Sequence, residues 1–339
     1  MTIRAVIGRR FGGIDDLVYD ETTPPPIKPG TIRVSVRAAG VSFANLLFIA
    51  GKHQNRPSIP FVPGTEIGGV VSEIAPHVRT DLKVGDRVCA GLPSGGFAEE
   101  AIVDAANVFR IPDSLSFEGS TLFPTIYATA YAGLNWRANL QPGETLLVHG
   151  AAGASGLAAV EVGRALGATV IATAGGEKKI EAVKRYGADH AIDYRRGGFR
   201  DRVLEITGGR GADVVFDPVG GGVFDESLRC VAPLGRLIPM GFAAGRIPEI
   251  PANIVLVKNL TVIGLYWGFY MAWGKTKADA ALRDQVRVLY GEMFDLYQSG
   301  KLRAPVDGSL PLADFATAMR RVESREVIGK IVLIPEQRT

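Results

Sequence analysis

The chain has few cysteines, little charge imbalance and no long apolar run, and each shortage excludes a class of protein. Only Cys89 and Cys230 occur among 339 residues, which excludes a disulfide framework, and their spacing matches no zinc motif. Basic residues outnumber acidic ones by 38 − 35 = 3 and are scattered, so nothing predicts nucleic-acid binding. No apolar run approaches the ~18 residues of a membrane helix, and the start of the chain lacks a secretion signal. We therefore expect a cytoplasmic enzyme that binds neither nucleic acid nor membrane.

Glycine, by contrast, is abundant, with 42 residues. The glycines cluster at the ends of β-branched runs, where a chain needs a positive φ or a close approach of backbone. Apolar residues make up 47% of the chain, which is enough to build a buried core. The length predicts about two domains.

The first third of the chain is rich in predicted strands. In Thr31–Ala38 apolar and polar residues alternate, as in a half-buried strand. Further short strands are predicted at Glu66–Ile74, Asp86–Ala90 and Phe97–Val103.

From Glu144 onward, short β-branched runs alternate with helical stretches. The predicted helices are Ala154–Gly167, Glu177–Tyr186, about Phe199–Ile206 and around Phe224–Val231. The strands between them are too apolar for a sheet with one solvated face. We therefore predict a doubly wound parallel sheet of six strands, the Rossmann dinucleotide-binding fold.

The tail of the chain carries one long amphipathic helix, Ala278–Ser299, and a last strand, Lys330–Ile334. A single strand is a poor core by itself, so we expect it to complete the β-rich domain. The predicted fold is thus α/β, with a Rossmann domain at residues 125–264 inserted into a β-rich domain made of residues 1–124 and 265–339.

The strongest local motif is the glycine bend at residues 149–156, HGAAGASG, which follows a strand and opens a helix. Gly150, Gly153 and Gly156 permit a tight turn, close approach of backbone to a diphosphate, and close packing of helix on sheet. The helix amino terminus offers free N–H groups and the positive end of the helix dipole. The spacing is G-x-x-G-x-x-G, and the strand–bend–helix context predicts dinucleotide binding.

The end of the second strand of this sheet, TAGG at residues 173–176, carries no acid. An acid there would accept a hydrogen bond from the ribose of NAD, and it would repel the additional phosphate of NADP. Lys178 and Lys179 begin the next helix, and residues 194–196, YRR, end the third strand. Together these residues favour NADPH, although either lysine alone is also an ordinary helix-surface residue, and Glu177 suits a helix start.

Two segments of the first domain, GVSFAN at residues 40–45 and PGTE at residues 63–66, resemble segments of the medium-chain dehydrogenase/reductase superfamily. In its zinc alcohol dehydrogenases the first segment carries a ligand cysteine and the second a ligand histidine. Here Ser42 and Thr65 stand in those places, and hydroxyl groups are poor zinc ligands. The four-cysteine structural zinc lobe is missing as well, so we expect no metal.

From about residue 38 to its end the chain resembles the zinc-independent quinone oxidoreductases, the zeta-crystallin-like branch of that superfamily. The resemblance implies a GroES-like catalytic domain around the Rossmann domain. The stretches that carry it are AAGVSFANLLFIAGKH, PGTEIGGVVSEIA, VGDRV, FPTIYATAYAGL, VHGAAGASGLAAVEVGRALGATVIATAGGEKK, GADHAIDY and IGKIVLIP.

The resemblance also implies a set of residues that bind the cofactor, NADPH. The diphosphate would be held by Gly150, Gly153, Ala154, Ser155 and Gly156, and the adenosine phosphate would face Gly175, Lys179 and Tyr194. The nicotinamide would be bordered by Thr129, Gly241 and Phe242. From the tail of the chain, the cofactor would be approached by Arg325 and Lys330.

Ser42, Asn45 and His53 are the polar candidates near the acceptor. Relatives often have Asn in place of Ser42 and Asp in place of Asn45, and related enoyl reductases have Tyr in place of His53. We hypothesise that His53 donates a proton, since a histidine titrates near neutrality; a solvated loop histidine, with protons from water, is the alternative. Tyr127 is a weaker candidate.

An aromatic cluster, Trp267, Phe269, Tyr270 and Trp273, follows the last strand of the predicted Rossmann domain. It would either roof the acceptor pocket or lie in a subunit interface, and the interface is favoured because the last strand commonly pairs across a dimer in this family. We expect a homodimer.

The sequence therefore predicts an NADPH-dependent, zinc-independent reductase. It would transfer hydride to a quinone or an α,β-unsaturated carbonyl compound in a cleft between the domains. The alternatives are an enoyl-thioester reductase and an NADPH-binding partner protein without turnover.

Overall fold

The computed structural model describes residues 2–274 and 278–336. The chain divides into two compact units, which we call the β-rich unit (Met1–Thr125, Trp267–Phe294 and Ala304–Thr339) and the parallel-sheet unit (Ile126–Tyr266 and Asp295–Arg303). Within the described residues, no helix has the length and apolar character needed to cross a membrane.

The described residues form fifteen strands and eleven α-helices. The strands are β1 (Ile3–Gly8), β2 (Leu17–Thr22), β3 (Thr31–Val41), β4 (Glu66–Ile74), β5 (Arg87–Gly91), β6 (Glu100–Asp104), β7 (Val108–Arg110), β8 (Thr145–Val148), β9 (Thr169–Ala174), β10 (His190–Asp193), β11 (Ala212–Asp217), β12 (Val231–Pro239), β13 (Thr261–Val262), β14 (Val306–Pro311) and β15 (Lys330–Ile334). The helices are α1 (Phe43–Ile49), α2 (Phe117–Ser120), α3 (Ala128–Tyr131), α4 (Ala154–Ala165), α5 (Glu177–Arg185), α6 (Arg200–Ile206), α7 (Gly221–Cys230), α8 (Ala252–Lys258), α9 (Trp267–Tyr270), α10 (Ala280–Gln298) and α11 (Phe315–Glu323), with π-helical segments at Phe123–Tyr127 and Ala132–Arg137 and 3₁₀ turns at Ile14–Asp16, Ala105–Asn107, Tyr194–Arg196 and Leu312–Asp314.

The β-rich unit is built on a sheet in the order β14-β15-β3-β4-β5-β7, with β6 also paired to β3 and with β1 and β2 as a separate hairpin. In β3 the apolar side chains of Ile32, Val34 and Val36 are fully buried, while the residues between them are half-exposed. This is the alternation that the sequence predicts. The last strand, β15, pairs antiparallel with β3, which confirms that the end of the chain completes this sheet.

The parallel-sheet unit contains six parallel strands in the order β10-β9-β8-β11-β12-β13. Numbered within the unit, this is the order 3-2-1-4-5-6 of the doubly wound dinucleotide fold. All six residues of β11 are buried, as expected of a strand covered on both faces. The predicted fold class is confirmed.

Several predicted elements have different bounds. The predicted strand Phe97–Val103 begins only at Glu100, because Phe97 and Ala98 pair instead with β1. The predicted helix around Phe224 begins at Gly221, where a buried aspartate side chain binds the preceding N–H groups. The tail also contains β14 and α11, which the sequence did not predict.

The predicted domain limits differ from the observed units mainly at Asp295–Arg303. The sequence placed this segment in the β-rich domain, whereas the chain folds it into the parallel-sheet unit. Its last residue, Arg303, forms an ion pair with Glu161 of α4, which ties the segment to that unit.

Candidate functional site

The glycine bend lies between β8 and α4, as predicted. Gly150 has a positive φ of 54°, and Gly153 is the N-cap residue of α4. A Cβ atom on Gly156 would lie 2.4 Å from the carbonyl oxygen of Gly150 and 2.5 Å from Cα of Ala151. Only glycine therefore allows the helix to pack this closely on the bend. The half-buried Ala154 and Ser155 form the first turn of α4.

The carboxyl ends of β8, β11 and β12 meet around this bend. Beside Gly150 lie the side chains of Pro218 and Val219, and Gly241 lies against the carbonyl oxygen of Pro218. The ring of Phe242 is exposed and lies against Gly220. The structure thus brings the bend and the predicted pair Gly241-Phe242 to one edge of the sheet, where doubly wound folds bind their ligands.

Asp217 organises the turn that follows β11. Its Oδ1 accepts hydrogen bonds from the N–H groups of Val219 and Gly220, at 2.8 and 3.0 Å. Burial raises the pKa of the Asp217 carboxyl. The sequence analysis did not single out this residue, although an acid at the end of an apolar strand was a signal for it.

His149, which follows β8 and is the first residue of the bend, is buried, and both of its ring nitrogens have hydrogen-bond partners. Its Nδ1 lies 2.9 Å from Oγ1 of Thr173 in β9, and its Nε2 lies 2.8 Å from Oγ of Ser227 in α7. Because the Ser227 hydroxyl donates to the carbonyl of Val223, its oxygen accepts from Nε2–H of His149. Burial lowers the pKa of His149 to about 3, so the imidazole is neutral and links the start of the bend to β9 and α7.

This neutral histidine predicts a pH-dependent loss of stability. The unfolded chain protonates His149 below pH ~6.5, whereas the folded chain does not until about pH 3, so stability falls as pH drops through that window. Between pH 7 and 4.5 the contribution of His149 to the free energy of unfolding should fall by about 2–3 kcal/mol. Urea unfolding of the wild type and His149→Gln at both pH values tests this. A stability difference that is the same at pH 7 and 4.5 would contradict it.

The predicted adenosine-phosphate residues lie together at the ends of β9 and β10. The hydroxyl of Tyr194 would be 2.6 Å from a Cβ atom on Gly175, so the phenol lies directly on that glycine. Lys179 is half-buried in the first turn of α5, whereas Lys178 is exposed. Asp193, which the sequence analysis overlooked, ends β10 and accepts a hydrogen bond from the N–H of Gly176 at 3.1 Å.

These residues fit a dinucleotide. Gly156 packs so closely on Gly150 and Ala151 that no side chain fits between the bend and α4. The amino-terminal turn of α4, a twelve-residue helix, presents backbone N–H groups beside the bend. Two basic residues lie near the end of β9, Lys179 in the first turn of α5 and Arg195 against Gly176.

Ser42 and Asn45 lie together at the start of α1. Oδ1 of Asn45 accepts from the N–H of Ser42 at 2.7 Å and from its hydroxyl at 3.1 Å. The N–H donor fixes which end of the amide faces Ser42, because only the oxygen accepts. Nδ2 of Asn45 is buried and has no hydrogen-bond partner among the described residues.

His53 follows α1 and is half-buried. Its Nδ1 accepts from the N–H of Asn55 at 3.1 Å, which leaves the proton of the neutral ring on Nε2. Burial lowers the pKa of His53. At neutral pH the ring is therefore uncharged, and its proposed proton donation stays a prediction.

Lys330 begins β15 and is buried against Glu66 of β4, with both side chains 1% exposed. Its ammonium donates to Oε2 of Glu66, and burial raises the pKa of the Glu66 carboxyl. Arg325 is exposed just after α11, with φ 60°. The structure thus gives Lys330 a partner within the β-rich unit, and the cofactor contacts of both residues stay predictions.

Thr129 lies on α3, a short turn between the two π-helical segments. Irregular turns of this kind are frequent at functional sites. The neighbouring Tyr127 is buried and donates to Glu161, which also accepts from Nε of Arg303 at 2.8 Å. Tyr127 therefore belongs to a buried structural network rather than to an acceptor site.

Two of the four residues of the aromatic cluster are buried. Trp267 and Tyr270 are buried, and the indole of Trp267 donates to the carbonyl of Pro124 at 2.9 Å. Phe269 and Trp273 are half-buried, and the position of the cluster at a subunit interface or over the acceptor pocket stays a prediction. Trp273 lines a cavity of about 310 Å³.

Comparison with known families gives two matches within the chain. Residues 28–113 match the alcohol dehydrogenase GroES-like domain, and residues 154–282 match the zinc-binding dehydrogenase family.

Three known proteins illustrate the similarity. A quinone oxidoreductase-like protein 2 homolog of Nematostella vectensis is 41% identical over 324 residues, covering 95% of this chain and 86% of that protein. A 2-haloacrylate reductase of Burkholderia sp is 33% identical over 344 residues, covering 99% and 100%. The Escherichia coli quinone oxidoreductase complexed with NADPH has a TM-score of 0.88 at 29% identity, covering 98% of this chain and 100% of that chain.

These similarities extend over nearly the whole chain and include both units. With the strand order and the glycine bend, they establish that the chain belongs to the quinone oxidoreductases of the medium-chain dehydrogenase/reductase superfamily, a class of oxidoreductase enzymes.

Proposed function

We propose that this protein uses NADPH to reduce a quinone or an α,β-unsaturated carbonyl compound without zinc. The observation that carries the proposal is the glycine bend, where Gly156 leaves no room for a side chain and α4 offers its amino terminus. The Escherichia coli relative is solved as an NADPH complex. The names of the relatives, quinone oxidoreductase and 2-haloacrylate reductase, support the class of acceptor.

In this proposal the two units have different tasks. The parallel-sheet unit binds the cofactor through Gly150, Gly153–Gly156 and the residues at the end of β9, and the β-rich unit supplies polar groups for the acceptor. NADPH, when bound, supplies a hydride, which carries two electrons. A quinone that takes up this hydride and one proton from water becomes a hydroquinone, so the atoms and charges balance.

In this proposal the side-chain amide of Asn45 donates a hydrogen bond to the substrate that accepts the hydride. Ser42 holds the oxygen of its amide, so the buried Nδ2 group is left to donate. A carbonyl oxygen that gains negative charge during hydride transfer would satisfy that donor. Such a hydrogen bond strengthens as the charge develops and so accelerates the reaction.

Replacing Asn45 with alanine should therefore lower kcat/KM for quinone or enone by about 100-fold, the typical effect of losing one such donor. The dissociation constant of NADPH should stay within twofold of the wild type, since the binding residues lie elsewhere. Steady-state kinetics and fluorescence titration measure the two quantities.

Two control variants sharpen this test. Ser42→Ala keeps the backbone N–H bond to Asn45 and should lose only a few-fold in kcat/KM. Asn45→Asp replaces the donating amide with a carboxylate, which only accepts, and should lose at least as much activity as Asn45→Ala. Unchanged kinetics in Asn45→Ala would remove Asn45 from the mechanism.

The role of His53 depends on its lowered pKa. If His53 gives the proton, alkene reduction falls as pH rises through that pKa, below the ordinary 6.5, and His53→Gln removes this pH dependence. A pH profile identical in both proteins assigns the proton to water.

Zinc independence is proposed from the chemistry of the donors. Ser42 and Thr65 occupy the places of the zinc ligands of related alcohol dehydrogenases, and neither hydroxyl is a good ligand. Elemental analysis of active enzyme should find less than one zinc in ten chains, and a chelator should leave the activity unchanged. Stoichiometric zinc that is needed for turnover would contradict the proposal.

We also propose a homodimer. The strand β13 is the last in its sheet, and the nearby side chains Leu256 and Val257 are each 76% exposed. Large exposed apolar side chains on α8, the helix that precedes the edge strand β13, suit contact with a second copy of the chain. Light scattering should give twice the chain mass of 36.1 kDa, and a mass of one chain would contradict this.

The experiment that tests the function is a panel of acceptors with NADPH. It includes 1,4-benzoquinone, 9,10-phenanthrenequinone, a 2-alkenal, 2-chloroacrylate and crotonyl thioester. We expect turnover of a quinone or of the alkenal. Turnover of the thioester alone would indicate an enoyl-thioester reductase, and tight NADPH binding without any turnover would indicate a binding protein.

A further inference from the structure

Asp193 and Arg195 form a small hydrogen-bonded unit at the ends of β9 and β10. Oδ1 of Asp193 accepts from the N–H of Gly176 and from the N–H of Arg195, both at 3.1 Å, and lies 3.5 Å from Nε of Arg195. One carboxylate oxygen therefore fixes the loop after β9 and the arginine after β10 at the same time.

The guanidinium of Arg195 lies directly on Gly176. A Cβ atom on Gly176 would be only 1.8 Å from one terminal nitrogen of Arg195, and Gly176 has a positive φ of 93°. Glycine at this position therefore makes room for the arginine. The cation is held over the end of β9 although 61% of its side chain is exposed.

The next residue, Arg196, differs although its type is the same. Its side chain is 85% exposed, and its Nε lies 3.8 Å from Oδ2 of Asp193. The two arginines therefore carry the same charge at neighbouring positions, and Arg195 is the one whose guanidinium lies against Gly176.

We propose that Arg195 sets the preference for NADPH over NADH by covering the carboxylate of Asp193. In doubly wound folds, a carboxylate near the end of the second strand accepts from the ribose hydroxyl of NAD and repels the 2′-phosphate of NADP. Asp193 lies at this end because β10 pairs with β9, Asp193 beside Ala174. Arg195 neutralises that carboxylate and presents its planar donors to the phosphate.

This inference rests on the proposed use of NADPH and assigns its specificity to one ion pair. Removing the arginine has two effects that act in the same direction. The phosphate loses a charged donor, and the carboxylate of Asp193, no longer neutralised, repels it. NADH carries no such phosphate, so its binding is spared or improved.

The test compares dissociation constants of NADPH and NADH by fluorescence titration. Arg195→Gln should weaken NADPH binding by about 10- to 30-fold. This is towards the lower end of the range for a charge-assisted hydrogen bond, because the side chain is exposed. The dissociation constant of NADH should stay within twofold or decrease. Arg196→Gln is the matched control and should change both constants by less than threefold. The double variant Arg195→Gln with Asp193→Asn should bind NADPH several-fold more tightly than Arg195→Gln alone.

The outcomes separate this inference from the proposed function. Equal weakening of both cofactors by Arg195→Gln, or no change in either, would overturn the assignment to Arg195. A loss of the same size in Arg196→Gln would overturn it too. Wild-type protein that binds neither cofactor would instead overturn the proposed function itself.

Discussion

Replacing Gly156 with alanine is expected to weaken NADPH binding by about 100-fold or more. The new Cβ atom would meet the carbonyl oxygen of Gly150 at 2.4 Å and Cα of Ala151 at 2.5 Å. Both are backbone atoms and cannot rotate away, so the bend must separate from α4. A displacement that costs about 3 kcal/mol of binding energy corresponds to that loss of affinity. Fluorescence titration with NADPH measures it.

Gly222→Ala is the matched control for this variant. Gly222 lies in the first turn of α7 in the same unit, and a Cβ atom there would meet nothing within 4 Å. NADPH affinity should stay within twofold, and the helix should gain up to about 1 kcal/mol of stability. If Gly156→Ala bound NADPH as tightly as Gly222→Ala does, the bend would not be the diphosphate site.

Replacing Lys330 with methionine is expected to lower the free energy of unfolding of the β-rich unit by about 3–5 kcal/mol. The substitution leaves the Glu66 carboxyl group, 1% exposed, without its ammonium partner. An uncompensated buried charge is among the most destabilising changes in a protein core. Urea unfolding followed by circular dichroism at pH 7 measures the loss.

The double variant Glu66→Leu with Lys330→Met separates charge from packing. With both charges replaced by apolar side chains of similar size, most of the stability should return. A double variant no more stable than Lys330→Met would contradict this explanation. The double variant also tests the predicted cofactor contact of Lys330, because a folded protein without the ammonium would then bind NADPH more weakly than the wild type.

The parts of the structure that the sequence predicts are those that depend on local pattern. The apolar β-branched runs and the helices between them predict the doubly wound sheet, and the bend at residues 149–156 is contiguous in the chain. Ser42 and Asn45 are only three residues apart and meet across the first turn of α1. In each case neighbouring residues decide the geometry.

The parts that the sequence does not predict depend on contacts between distant segments. Glu66 and Lys330 are 264 residues apart, and no local pattern indicates that they form a pair. Arg303 reaches Glu161 across 142 residues and draws its segment into the other unit. The hydrogen bond of His149 likewise joins it to Ser227, 78 residues away.

The missed elements of the tail have the same origin. β14 has the sequence VDGSLP, in which Asp, Gly, Ser and Pro are poor strand formers. It is a strand because β15 provides a partner. Asp193 does not follow the second strand, where a dinucleotide fold usually carries its acid. It ends the third strand, and the pairing of β10 with β9 brings it to the same place.

A crystal structure of the protein with NADPH is the most direct test of the central claim. We predict electron density for the diphosphate over residues 153–156 and for the 2′-phosphate within ion-pair distance of Arg195. Density for the cofactor anywhere else, or a bend that stays free at saturating NADPH, would contradict the account.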